Sequence, residues 1–168
     1  MPDSKEIVIN TSPLLALSAA LGDLSLLQLL YQQVFVPFEV CQEIEIGGLS
    51  GFSVAEFKAA HFLNKLDKPL TIAPFLKNSL DIGEASVIQL ALDKNIQTVC
   101  IDETVGRRIA RLNNLSLTGS IGILIRASKE GHLFSMSDAI KKMQARGIWL
   151  SDSVISFALK EVEKQNIK

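Results

Sequence analysis

The sequence predicts an α/β fold built on a parallel sheet of about five strands. Two observations support this prediction. Short runs rich in β-branched residues alternate with longer helical patterns along residues 6–130, which is the pattern of repeated strand–helix–strand units. One of these runs, TVCI at residues 98–101, has the composition of a strand buried in a parallel sheet.

Composition limits the class of protein. The 168-residue chain is 48% hydrophobic and has a net charge of −1, so it can bury a full core but has no global basic field for RNA or membranes. Cys41 and Cys100 are isolated, which favours the reducing cytoplasm over a disulfide-bonded protein. Neither a signal peptide nor a membrane-spanning stretch of about 18 apolar residues is present, so we expect a cytoplasmic protein with no membrane partner.

Local signals predict the elements of the first half. Ser12 and Pro13 suit the cap and the first turn of a helix. Ser53 followed by Glu56 is a capping-box pattern at another helix start. The predicted elements are strand 6–10, helix 14–21, helix 24–31, strand 34–36, a helix from 37 to the glycines at 47 and 48, helix 53–61, and a weak strand at 70–73.

The second half continues the alternation. Asp81 with Glu84 forms a capping box, and Asn95 suits the end of the same helix. The predicted elements are helix 81–95, strand 98–101, helix 104–112, strand 115–118, a helix from 119 to 131, and two helices separated by residues 147–150, the second capped by Ser151. No repeat or long linker is visible, so we expect one domain at residues 1–130 and a helical extension at residues 131–168.

Polar residues follow two of the predicted strands. Asn10 ends the first strand, and Asp102 follows the fourth. If these strands are neighbours at a switch point, both residues lie at the carboxyl edge of the sheet, where ligands of α/β proteins bind. Glu84 reaches the same crevice only if its helix begins above that edge.

Five segments, in this order and spacing, resemble the PIN-domain family: INTSPLLAL, VPFEVCQEI, LDIGEASVIQLAL, VCIDETVGRRIA and LTGSIGILIRA. The chain is similar to a prokaryotic branch of predicted nucleic-acid-binding proteins with a C-terminal extension. The resemblance implies a three-layer α/β/α fold. It also implies a metal-dependent ribonuclease, which in many members is the toxin of a toxin–antitoxin pair, with an antitoxin protein as partner.

The resemblance assigns the acidic cluster of the family to Asn10, Glu43, Glu84 and Asp102, with the Thr11 hydroxyl beside the first position. The three acids would be catalytic, and all four residues would bind Mg²⁺ or Mn²⁺, which prefer oxygen ligands. Asn10 departs from the expected Asp. A missing unit charge at about 4 Å is worth roughly 4 kcal/mol at an effective dielectric of 20, enough to weaken metal binding about ten- to a thousandfold.

Each of these residues also has a structural alternative. Asp102 could cap the following helix, and Glu84 is explained by its capping box. Glu43 could belong to a solvated helix face, and Asn10 could bond to its own turn. Two functions therefore stay open, a metal-dependent endoribonuclease and an RNA- or protein-binding module whose catalysis has been lost. A nucleotide-binding Rossmann protein has little support, because no GxGxxG follows the first strand.

Basic and hydroxyl residues follow Asp102. Arg107, Arg108 and Arg111 either guide an RNA backbone toward the acids or form a solvated helix face. Thr118 and Ser120 lie at a predicted helix start, where backbone donors bind phosphate. Apolar helix faces and the extension are consistent with a homodimer.

Overall fold

The computed structural model describes residues 5–47 and 53–166. The strands are β1 Glu6–Ile9, β2 Gln33–Val36, β3 Asn64–Lys65, β4 Thr98–Cys100 and β5 Ser116–Thr118. The helices are α1 Thr11–Leu21, α2 Ser25–Leu30, α3 Phe38–Ile46, α4 Val54–Ala59, α5 Pro74–Ser79, α6 Ile82–Lys94, α7 Thr104–Leu112, α8 Ser120–Lys129, α9 Met136–Ala145 and α10 Asp152–Asn166. Gly48, predicted to help end α3, lies outside the described residues.

The sheet has the order β3-β2-β1-β4-β5, and all neighbouring strands are parallel. The central strand β1 is fully buried at Ile7, Val8 and Ile9, as its apolar sequence requires. Because the chain leaves β1 toward β2 and later returns on its other side to β4, the sheet has a switch point between β1 and β4. The predicted five-stranded parallel sheet and the predicted contact between the first and fourth strands are confirmed.

The predicted third strand at residues 70–73 is wrong. The strand in this position is β3, a two-residue segment several residues earlier. Leu70 donates its backbone N–H to Glu39 Oε2 (2.9 Å) and Ala73 donates to Gln89 Oε1 (2.9 Å). Side chains therefore take the hydrogen bonds that a sheet neighbour would need. Pro74 then begins α5, a helix that the sequence did not indicate.

Some of the predicted caps are confirmed. Asp81 Oδ1 accepts from the Glu84 N–H (2.8 Å), and Asn95 ends α6 in the left-handed conformation. The Ser151 hydroxyl accepts from the Val154 N–H (3.2 Å). The predicted cap at Ser12 is wrong, because α1 begins one residue earlier. Ser53 occupies the cap position of α4 as predicted, but its side chain makes no capping hydrogen bond.

The two helices of the extension pack on the sheet domain. Helix α9 lies against α1, and α10 lies against α8 and α9. Met136, Ile140, Met143 and Ala158 are buried in the same core as the strands. The predicted boundary at residue 130 thus separates helices that share one hydrophobic core. No helix in the described part of the chain is both long and apolar enough to cross a membrane.

Candidate active site

Asn10 lies at the switch point, where β1 ends beside β4. Its backbone N–H donates to the Cys100 carbonyl (3.1 Å), which holds the two strand ends together. Asn10 is 4% exposed and occupies the cap position of α1, but its side chain makes no capping hydrogen bond. The amide is therefore not used as a helix cap.

Glu43 approaches Asn10 from α3. A Cβ atom added to Gly83, the second residue of α6, would overlap Glu43 Oε1 and lie 3.4 Å from Asn10 Oδ1. The glycine thus leaves the space in which the Glu43 carboxyl and the Asn10 amide oxygen lie close together. Burial and then the charge of Asp81 raise the pKa of Glu43, while the adjacent Thr11 hydroxyl acts in the opposite direction.

Glu84 is buried between α6 and α7. It is 7% exposed, and a Cβ atom on Gly106 of α7 would lie 2.6 Å from Glu84 Oε2. The carboxyl borders a cavity of about 270 Å³, whose other lining residues are Ser79, Leu80, Asp81, Glu103, Thr104 and Val105. Burial, interaction with Asp81 and the charges of Glu103 and Glu43 raise the pKa of Glu84 to about 8. This carboxyl is therefore mainly protonated at neutral pH.

Asp102 is exposed just beyond β4. Its Oδ1 accepts from the Ser120 N–H (2.8 Å) and its Oδ2 accepts from the Ser120 hydroxyl (2.9 Å). Ser120 is the first residue of α8, so Asp102 bonds to the start of α8 and not to the start of α7, the next helix. A carboxylate at this end of α8 is also stabilised by the helix dipole.

The three predicted arginines have different surroundings. Arg107 donates through one terminal nitrogen to the carbonyls of Ile101 (2.7 Å) and Thr118 (3.3 Å), which holds the ends of β4 and β5 together. Arg108 and Arg111 are exposed on α7. The structure therefore places Arg107 in a structural role and leaves the other two side chains accessible to a phosphate backbone.

Comparison with known proteins identifies the family of the chain. A family model described as a PIN domain matches residues 6–164. The chain belongs to the PIN-domain family. PIN domains act generally as nucleases or nucleic-acid-binding domains and generally use divalent metal ions. No curated protein and no solved structure matches the chain.

The match spans β1 to α10 of this PIN domain and thus includes both helices of the extension. Four of the predicted residues follow or approach the strand ends near the switch point, and their contacts differ. Asn10 and Glu43 both lie beside Gly83, and the charge of Glu43 acts on Glu84. Asp102 is held at the start of α8. In the described ranges, no three acidic, histidine or cysteine side chains are arranged to hold a metal ion.

The donors nevertheless fit a hard divalent cation in chemical type. Asn10, Glu43 and Glu84 each offer oxygen ligands. Burial is the main cause of the raised pKa of Glu84, and repulsion from the charges of Asp81, Glu103 and Glu43 adds to it. A bound cation would relieve this repulsion. With one neutral amide among the donors, we expect weak binding.

Asp81 belongs to the acidic cleft, the cavity that Asp81, Glu84 and Glu103 border. This was not predicted from the sequence, in which Asp81 was assigned only to a helix cap. Its carboxylate does cap α6. The available signal was its place three residues before Glu84, since a capping box brings both side chains to one helix end.

Proposed function

We propose that this PIN domain is a metal-dependent endoribonuclease that hydrolyses RNA phosphodiester bonds. The observation that carries the proposal is that the Asn10 amide, at the switch point of the sheet, and the Glu43 carboxyl both lie beside Gly83, while the charge of Glu43 acts on the buried Glu84 carboxyl. Proteins with open α/β sheets bind their ligands at such a switch point.

Asn10, Glu43 and Glu84 would hold Mg²⁺ or Mn²⁺. Asp102, which lies just beyond the neighbouring strand β4, would be a further ligand. When bound, the cation supplies a nucleophilic water and neutralises phosphate charge. Glu84 would release its proton when it holds the cation, because a carboxylate must be ionised to act as a ligand. Arg108 and Arg111 attract the RNA backbone to the exposed face of α7, whereas Arg107 keeps the ends of β4 and β5 in register.

The proposal is tested by incubating the purified full chain with a structured and an unstructured RNA in Mn²⁺, Mg²⁺ or a chelator. Glu43→Gln and Asp102→Asn should abolish metal-dependent cleavage, because both remove a charge with little change in shape. Glu163→Gln is the matched control, since Glu163 is exposed on α10, outside the site. Cleavage that survives in the chelator, or equally in both site variants, would mean that another protein is responsible.

A second candidate function is an RNA-binding module without turnover. It is favoured by the neutral amide of Asn10, which brings no negative charge to the site. This function predicts salt-dependent RNA binding with no cleavage in any metal. Cleavage that appears in Asn10→Asp alone would show that this one amide had disabled the site.

We further propose that the chain is the toxin of a toxin–antitoxin pair, acts in the cytoplasm and forms a homodimer. The family resemblance supports the toxin role, and the two buried, free cysteines suit a reducing compartment. Exposed apolar side chains at Ile82 and Val105, beside the acidic cleft, suit a protein partner. Light scattering of the purified chain tests the homodimer, and rescue of growth arrest by the product of the adjacent gene tests the toxin role.

A further inference from the structure

We infer that Ser120 is a positioning residue that orients the Asp102 carboxylate toward the cation. This inference rests on the proposed function and assigns to Ser120 a role other than binding an RNA phosphate. It concerns the contact between the end of β4 and the start of α8, two segments separated by 18 positions in the chain.

Both donors of Ser120 are already used. Its N–H and its hydroxyl bind the two different oxygens of Asp102, at 2.8 and 2.9 Å, which fixes the rotation of the carboxylate plane. Ser120 is only 3% exposed, so an incoming phosphate would have to displace Asp102 to reach these donors. Each carboxylate oxygen still has a free lone pair, and the exposed Asp102 can offer these to a cation.

Gly119 and Arg107 allow Asp102 to lie close to the start of α8. A Cβ atom on Gly119 would lie 2.6 Å from Asp102 Oδ1 and 3.0 Å from a terminal nitrogen of Arg107. The same nitrogen binds the carbonyls of Ile101 and Thr118, the residues just before Asp102 and Gly119. The backbone on both sides of the contact is thus held, and among residues 5–47 and 53–166 only the Ser120 hydroxyl binds the second oxygen of Asp102.

Loss of that hydroxyl should leave Asp102 with one bond, to the Ser120 N–H, and free to rotate. Partners that orient a metal ligand typically change metal affinity by about 10- to 100-fold. We therefore expect Ser120→Ala to bind Mn²⁺ about tenfold more weakly. Gly119→Ala should have a similar effect by a different route, because its Cβ pushes Asp102 away while the hydroxyl remains.

The experiment measures Mn²⁺ binding to the RNA-free full chain by electron paramagnetic resonance, for wild type, Ser120→Ala, Ser120→Thr and Gly119→Ala. Ser120→Thr keeps the hydroxyl and should restore affinity. Ser135→Ala is the control, because Ser135 also lies at a helix start, where its hydroxyl accepts from the Asp138 N–H (3.1 Å), but on α9. It should lose stability without losing Mn²⁺ affinity.

RNA affinity is then measured in chelator over a range of salt concentrations. Unchanged affinity and salt dependence in Ser120→Ala, together with weaker Mn²⁺ binding, support the inference. Unchanged Mn²⁺ affinity in both Ser120→Ala and Gly119→Ala overturns it. So does a loss of RNA affinity with a salt slope lower by about one, which marks a phosphate contact. A wild-type chain that binds no Mn²⁺ refutes metal dependence itself, before any variant is compared.

Discussion

Glu84→Gln should make the stability of the metal-free protein less sensitive to rising pH. Burial and the neighbouring acids raise the pKa of Glu84 from its ordinary value of 4.5 to about 8. At a pH between 4.5 and about 8, Glu84 therefore keeps its proton in the folded protein and loses it in the unfolded chain. This contribution to stability is fully present below about pH 4.5 and is lost as the pH rises through 8.

The size of the effect follows from the same numbers. A pKa raised from 4.5 to about 8 corresponds to roughly 5 kcal/mol between the two protonation states. Water entry and relaxation of the cleft reduce such differences, so we expect the free energy of unfolding to fall by about 2 to 5 kcal/mol more in wild type than in Glu84→Gln. Glutamine keeps the shape of the protonated side chain and cannot ionise.

The assay is urea denaturation in chelator at intervals from pH 5 to pH 9, with Glu163→Gln as control. Wild type and the control should lose stability as the pH rises from 5 to about 8 and then level off, and Glu84→Gln should follow a flatter curve. Glu43, whose pKa is also raised, remains in all three proteins. Parallel curves for wild type and Glu84→Gln would refute the conclusion that Glu84 is buried as a neutral acid.

Three further predictions concern the same cleft. Mn²⁺ binding at pH 7 should release about one proton from wild type and none from Glu84→Gln, measured with an indicator dye in weak buffer; equal release would exclude Glu84 as a ligand. Asn10→Asp should tighten Mn²⁺ binding at least about tenfold in a calorimetric titration; unchanged affinity would place the cation elsewhere. Arg107→Ala should cost about 1.5 to 3 kcal/mol in urea, because it removes charged hydrogen bonds, whereas Arg108→Ala should leave stability unchanged and weaken RNA binding; the reverse pattern would exchange their roles.

Local signals in the sequence predicted most of the fold. The alternation of strands and helices gave the parallel sheet, and the caps at Asp81 and Asn95 were correct because both bonds join residues within a few positions. The prediction of the third strand was wrong because the hydrogen bonds of this segment join residues that are distant in the sequence. Leu70 and Ala73 bind Glu39 and Gln89, which lie 31 and 16 positions away, and no local pattern records such distant partners.

The site was predictable in place but not in detail. Strand order brought Asn10 beside β4, and this followed from a switch point that α/β topology makes common. The sequence could not show that Ser120 would hold Asp102 or that Arg107 would bind two strand-end carbonyls. Both contacts depend on the packing of α7 and α8 around the sheet edge.

The presence of a glycine beside each of three acids is the strongest argument that the cleft is functional. Glu43 lies against Gly83, Glu84 against Gly106, and Asp102 against Gly119, and at each glycine a Cβ would meet the carboxylate. All three glycines lie at the start of a helix, where the dipole stabilises negative charge. A capping box would explain a Glu84 side chain at the helix surface, but not one buried against Gly106. Because this burial costs stability at neutral pH, a role in binding explains the arrangement better than a role in folding.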